Sequence, residues 1–304
     1  MKNEAASPSS ETNERMREIL RRVRRIEIRS RKAVNDVFGG EYHSVFKGRG
    51  MEFDEVREYA AGDEIRDIDW NVTARTGKAF IKRYVEEREQ TVFFVVDVSA
   101  SSEFGTGERM KGEIAAEICS VLAFSAIQNN DRVGLLTFSD DVEELIPPKK
   151  GRKHVLRVVR ELLFGQPRGR GTNLSLAIET LNRVLKRRAI VFLVSDFLAP
   201  DLRDPLVRAN QRHDLIAIRL SDPREEVLPP MGIIELQDAE TGETMRVDAA
   251  SRSVRERFEE SNRKRRLGLD RMFRSIGADC VAISTDADYL EPILSFFRMR
   301  ARRR

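Results

Sequence analysis

The sequence predicts an α/β protein with a doubly wound, mostly parallel sheet, preceded by an N-terminal helix and a small β-rich module. Two observations carry that expectation. Apolar runs of strand length, TVFFVVD (91–97), RVGLLTF (132–138), AIVFLVSD (189–196), DLIAIRL (214–220) and DCVAIS (279–284), alternate with helical stretches. Strands this uniformly apolar are covered on both faces, as in parallel sheets. Short strings of Asp and Ser close two of these runs, at the strand ends where doubly wound sheets gather ligands.

Taken in order, residues 1–12 are expected to be a polar, disordered tail. From Glu14 to about Val37, Ile19, Val23 and Ile26 form a helical stripe among many arginines, and Gly39-Gly40 stops it. Residues 41–90 hold glycines at 48, 50, 62 and 77 and aromatics at 42, 46, 53, 59, 70, 80 and 84. Residues 13–90 therefore form the helix and β-rich module, and 91–304 the α/β domain. Its first helix starts near Glu108, with Ile114, Ile118, Val121 and Leu122 on one face. Two more are expected over Arg152–Phe164 and Asn173–Lys186. Residues 223–250 interrupt the alternation: IIELQD and ETMRVD flank Ala239-Glu240-Thr241-Gly242, the pattern of an inserted β-hairpin. A charged helix from Val254 to Ile276, the strand at 279–284 and a helix from about Asp288 close the domain.

Composition narrows the function. The 304 residues hold 54 basic and 50 acidic side chains, for a net +4. Residues 1–35 carry 10 basic and 5 acidic side chains, and 251–304 carry 14 and 8, leaving an acidic middle. Two basic ends around an acidic body argue against a domain-wide nucleic-acid surface. No apolar run reaches the length that spans a bilayer, and the first residues lack the apolar core of a signal peptide. Cys119 and Cys280 lie in separate apolar segments and point to a reducing compartment, with the cytoplasm as the expected location. His43, His154 and His213 show no ligand spacing. No nucleophile elbow or phosphate loop occurs, and Gly105-Thr106-Gly107 lacks the third glycine of a dinucleotide fingerprint. The chain is expected not to be an enzyme.

The chemistry-bearing residues are Asp97, Ser99 and Ser101 in an Asp-x-Ser-x-Ser string, Thr172 in the loop Gly169-Arg170-Gly171-Thr172-Asn173, and Asp196 after the 189–196 run. Two carboxylates and three hydroxyls are hard oxygen ligands, suited to Mg²⁺ or Mn²⁺ in an octahedral shell. Strand alternation would point Asp97, Ser99 and Ser101 one way. So few carboxylates leave the ion ready for an acidic side chain from a partner. Singly, these residues also serve as helix caps. In the module, Gly62-Asp63 is a turn, Arg66 and Asp69 are an expected ion pair, and Trp70 is an expected packing anchor.

Together, Asp-x-Ser-x-Ser, Thr172 and Asp196 resemble the metal-ion-dependent adhesion site of von Willebrand factor A domains. The resemblance covers about 91–222 and the closing strand and helix. It implies direct metal ligation by Ser99, Ser101 and Thr172, and water-mediated contact by Asp97 and Asp196. Upstream, Gly48-x-Gly50-x-x-Phe53-x-x-x-Arg57-x-Tyr59-x-x-Gly62-Asp63-x-x-Arg66-x-Ile68-Asp69-Trp70, then Thr73-Ala74-Arg75 and Glu87-Arg88, is similar to the bacterial domain of unknown function 58 family. That resemblance implies a protein-interaction module or adaptor working with a MoxR-type AAA+ ATPase, or its client, in protein maturation or complex assembly. An alternative is a binder of nucleic acid or anionic surfaces through the basic terminal helices; a hydrolase is the remaining reading.

Overall fold

The computed structural model describes residues 52–60, 62–85, 89–107 and 109–303. The expected tail, the helix over 14–37, the Gly48-x-Gly50 opening and Glu87-Arg88 lie outside the described residues. Two compact units divide the chain at Gln90 and Thr91.

In the smaller unit, strands β1 (Glu52–Glu58) and β2 (Phe80–Val85) pair antiparallel around a short helix, α1 (Trp70–Thr76). Asp69 caps α1, accepting from the amides of Asn71 (3.0 Å) and Val72 (3.2 Å). Gly77, at φ 72°, closes the helix in the left-handed region that glycine occupies without strain. The Arg66–Asp69 pair does not form, because Asp69 is turned to the helix amides and Arg66 instead meets Glu64 at 3.0 Å. The buttressing pair is Arg57 with Asp63, two parallel hydrogen bonds of 2.9 and 2.6 Å. Those bonds, helped by the Ala60 amide, hold the Asp63 carboxyl below its usual range. Trp70, expected as a buried anchor, is 66% exposed.

The larger unit is built on strands β3 (Thr91–Asp97), β4 (Arg132–Phe138), β5 (Val142–Lys149), β6 (Ile190–Ser195), β7 (Asp214–Ser221) and β10 (Asp279–Ser284). They lie in the order β10-β7-β6-β3-β4-β5, all parallel except β5, which runs antiparallel to β4 at one edge. Helices α2 (Lys111–Gln128), α3 (Arg152–Phe164), α4 (Leu174–Val184), α5 (Arg203–Arg212), α6 (Pro223–Glu226), α7 (Arg252–Ile276) and α8 (Leu290–Arg302) connect them. The predicted hairpin forms as β8 (Ile233–Gln237) and β9 (Thr244–Asp248).

Burial explains this layering. Phe93, Val95, Leu193 and Ala217 share a core with Leu174, Ile178 and Leu181 of α4, Leu206 of α5 and Phe273 of α7. The alternate residues Val92, Phe94 and Val96 are equally buried, toward the face where α2 crosses β3, β4 and β7. Each such side chain contributes about 1.5–3 kcal/mol on burial. Gly134 lets β4 approach its neighbours: a Cβ there would lie 2.6 Å from the Phe93 ring. Two elements escape the hydrophobic pattern. One is β5, whose Pro147-Pro148 falls where the register with β4 shifts. The other is α5, where only Pro205, Leu206 and Ala209 are buried. Among the described residues, no helix is long and apolar enough to cross a membrane.

His213, just after α5, is fully buried, with Nε2–H donating to Asn182 Oδ1 (3.2 Å) and Nδ1 unbonded. Burial first, then the charges of Arg212 and Arg188, push its pKa from 6.5 down to about 4. The unfolded chain thus binds more protons between those values, and stability falls as pH drops through that window. About 2 kcal/mol is expected to be lost between pH 7 and pH 5 through this residue. Urea midpoints at the two pH values measure it. His213→Gln should show a correspondingly smaller drop, and identical drops in both proteins would refute the assignment.

Candidate functional site

The sheet order reverses direction between β3 and β6: the chain leaves β3 for β4 and β5, then returns to β6 on the opposite side. At such a point the loops leaving the carboxyl ends part and leave a crevice. Asp97 ends β3 there, 6% exposed, its carboxylate accepting from the Ser99 amide (3.0 Å) and the Ser195 hydroxyl (2.7 Å). Ser195 Oγ also accepts from the Phe197 amide at 3.0 Å.

Beyond Asp97 the chain does not continue extended, as strand alternation would require; it tightens into a 3-10 turn over Ala100–Glu103. This turn, rather than the pleat, brings Ser99 Oγ and Ser101 Oγ within 3.1 Å of each other. The loop before α4 is drawn to the same turn by the Ala100 amide, which donates to Arg170 O (3.0 Å). Asn173, not Thr172, caps α4 by accepting from the Leu176 amide. The Thr172 hydroxyl is left free of the helix and donates to Glu240 Oε1 at 2.6 Å, at the tip of the β8–β9 hairpin.

Asp196 follows β6 and precedes Phe197, which sits at φ 58°. A bulky residue in that region costs about 1–3 kcal/mol. Burial to 2% and edge-to-face packing on Phe273, with centroids 5.2 Å apart, hold it there. The forced turn exposes the Asp196 carboxylate to Lys111, whose ammonium donates to it at 2.8 Å and to Glu225 Oε1 at 2.6 Å. Lys111 is 2% exposed. Burial opposes its charge, but the two carboxylates outweigh burial, and its pKa ends above the usual range.

Among the described residues no cation bonds Asp97 in this way. Burial, and then repulsion from Asp196, push its carboxyl up to about 6, against the hydrogen bonds of Ser99 and Ser195. Asp97, Ser101, Lys111, Ser195 and Asp196 line a cavity of about 10 Å³, roughly the room one water needs.

The donor set fits a small hard cation. Octahedral ligands at 2.0–2.1 Å lie about 2.9 Å apart along an edge, close to the Ser99–Ser101 separation. The Lys111 ammonium bonds Asp196 and Glu225, whereas the Asp97 carboxylate is met by the Ser99 amide and the Ser195 hydroxyl. Among the described residues no group of three or more His, Cys, Asp and Glu side chains is gathered to hold a metal, so the hydroxyls would have to supply ligands. Of the five predicted residues, Asp97, Ser99, Ser101 and Asp196 converge on the crevice. Thr172 reaches the same strand ends with its hydroxyl turned to Glu240.

Two further networks brace the loops. Glu143 Oε1 accepts from the Ser139 hydroxyl (2.5 Å) and from the amides of Arg168 (3.0 Å) and Gly169 (2.8 Å). Burial opposes its charge, yet these bonds hold its pKa below the usual carboxylate range. Asp222, fully buried, accepts from Thr106 N and Oγ1, Arg224 N and Thr285 Oγ1 at 2.6–3.0 Å. Neither Lys111 nor Glu240 stands out as a motif residue. The available signal for Lys111 was its place on the apolar stripe of Ile114, Ala115 and Ile118.

Fold and strand-end polarity define a doubly wound α/β domain with its candidate site at the topological switch. The chain belongs to the family described as protein of unknown function DUF58, whose profile matches residues 55–268. It is similar to the uncharacterized protein Rv1480 of Mycobacterium tuberculosis (strain H37Rv), 32% identical over 283 residues, 92% of this chain and 89% of that protein. YeaD of Bacillus subtilis, also uncharacterized, is 24% identical over 147 residues, 48% of this chain and 35% of that protein. Similar solved structures include an aerotolerance-related membrane protein of Bacteroides fragilis, at TM-score 0.48 and 14% identity, with 71% of this chain and 100% of that chain covered. BatB of Bacteroides thetaiotaomicron gives 0.46 and 14%, over 70% and 99%. The SpRpn10 VWA domain gives 0.40 and 14%, over 68% and 94%.

Proposed function

We propose that the chain is a non-enzymatic interaction module that captures a protein partner through a divalent metal held by Asp97, Ser99, Ser101, Thr172 and Asp196. The observation that carries this reading is the Ser99–Ser101 hydroxyl pair, 3.1 Å apart beside the buried Asp97 carboxylate, which no ammonium bonds among the described residues. When bound, Mg²⁺ or Mn²⁺ would supply a Lewis-acidic site for a partner's Asp or Glu. Within the chain, Ser195 and the Ser99 amide orient Asp97, and the Phe197 turn sets Asp196. Lys111 neutralises Asp196 from the buried side, leaving the Asp97 charge for the incoming cation. A hydrolytic role for Ser99 finds no support in the described histidines: His154 bonds Val133 O and His213 bonds Asn182.

The resemblance noted from the sequence makes a MoxR-type AAA+ ATPase, or its client, the partner, in protein maturation or assembly. Free Cys119 and Cys280 suit action in the cytoplasm. Pull-down of such an ATPase from the native host, with Mg²⁺ or with EDTA, tests the reading. Capture is expected to fall at least about tenfold in EDTA and in Asp97→Asn, while circular dichroism stays unchanged. Capture that persists undiminished in EDTA would overturn the metal bridge.

A further inference from the structure

We propose that Glu240, at the tip of the β8–β9 hairpin, is the chain's own occupant of the metal site. Its carboxylate takes the place that a partner's acidic side chain would take, so hairpin and partner compete. This rests on the metal reading above.

The Glu240 side chain is surplus to the turn that carries it. That turn is closed by Asp238 Oδ1, which accepts from the amides of Glu240 (3.0 Å) and Thr241 (2.8 Å), and by Gly242 at φ 74°. The carboxylate instead reaches Thr172 Oγ1 at 2.6 Å, the hydroxyl that α4 leaves free because Asn173 caps the helix. Its second oxygen lies against Gly171, 3.9 Å from where a Cβ would stand. Alongside, Arg170 Nη2 donates to Ala239 O (3.4 Å), seating the tip on the same loop. Among the described residues no cation pairs with Glu240, so its charge is uncommitted.

The hairpin that delivers this carboxylate is built to detach. β8 and β9 form a sheet of only two strands, with no fully buried residue between Ile233 and Asp248. Ile233 and Met245 are 75% and 63% exposed. A two-stranded hairpin alone is marginal in water, so its seat depends on the tip contacts and on Ala249, buried at its base. A carboxylate on such an arm acts as an exchangeable ligand, filling the site when no partner is present and yielding it to a better acid.

Calorimetric titration of Mn²⁺ into wild type, Glu240→Ala and Asp97→Asn tests this, with amide hydrogen exchange at residues 238–243 as a second readout. Expected are Mn²⁺ binding about tenfold weaker in Glu240→Ala, recovery of that affinity by sodium acetate in Glu240→Ala but not in wild type, and slowed exchange of the tip on adding Mn²⁺ in wild type only. Suppose wild type binds Mn²⁺ and Asp97→Asn does not, while Glu240→Ala matches wild type and tip exchange ignores the metal. The hairpin proposal then falls and the metal site stands. Failure of wild type itself to bind Mn²⁺ would remove the metal reading, and this proposal with it.

Discussion

Lys111→Met is expected to destabilise the fold by about 3–5 kcal/mol, the usual cost of stripping one partner from a buried ion pair. Methionine fills the stem's volume but leaves Asp196 and Glu225 without the ammonium that bonds both, at 2.8 and 2.6 Å. Asp196 then keeps its repulsion with Asp97 and loses the ammonium that offsets its own charge. The native contribution is fully present at neutral pH, because the ammonium's raised pKa means it is lost only as pH climbs through the folded value. Guanidinium denaturation at pH 7 reads the loss. A second variant, Lys111→Met with Glu225→Gln, should recover part of it by removing one orphaned charge. A loss under about 1 kcal/mol, the range of exposed pairs, would mean that this ammonium is effectively solvated.

Asp222→Ala should be of comparable size, about 3–5 kcal/mol, because it orphans several donors at once. Two hydroxyls, Thr106 and Thr285, and the amides of Thr106 and Arg224 all end on this one carboxylate. Burial opposes the charge, and the Thr106 and Thr285 bonds outweigh it, so the carboxyl titrates below its usual 3.8. Its contribution is therefore present above that value and fades only as pH falls through the folded pKa. Asp222→Asn, which keeps an acceptor oxygen, should lie between wild type and Asp222→Ala by thermal denaturation. Equal stability of Asp222→Ala and wild type would show that water replaces the carboxylate. Glu225 joins the two predictions, since its Oε1 accepts from Lys111 while its Oε2 accepts from the Asp222 amide (3.0 Å). Combined, the two substitutions should fall short of additive, as residues in one network do.

Much of the domain was legible because its parallel strands are apolar nearly throughout, and β3, β4, β6, β7 and β10 lie where those runs predict. What stayed hidden lacked that signature. β5 carries Glu143-Glu144 and Pro147-Pro148, which break any strand period, and α5 buries three residues in ten. At the site, the places of Asp97, Ser99, Ser101 and Asp196 at the ends of two apolar runs predict their meeting at the strand ends. The serines converge through a 3-10 turn and not through pleat alternation, a local tightening that the apolar pattern does not encode. Thr172 was placed on its loop, but its bond to Glu240 depends on where an insertion 68 residues away folds back, which no local pattern encodes. In the module, Arg66–Asp69 was a spacing argument that lost to helix capping, the stronger claim on a carboxylate beside free amides.

The paired prolines of β5 matter beyond their own strand. An open sheet ends in a row of unclaimed amides that another chain's edge can pair with, the first step of amyloid-like growth. On β5, Pro147 and Pro148 supply no N–H for two successive residues, and they sit at a register shift that bends the edge. The opposite edge strand, β10, begins with Asp279, clamped by Arg300 at 2.9 Å and Arg303 at 3.4 Å. Among the described residues, a sheet with five apolar strands is thereby bounded by one edge short of donors and one fenced by charge. Neither edge is therefore a good template for pairing with the edge of another chain.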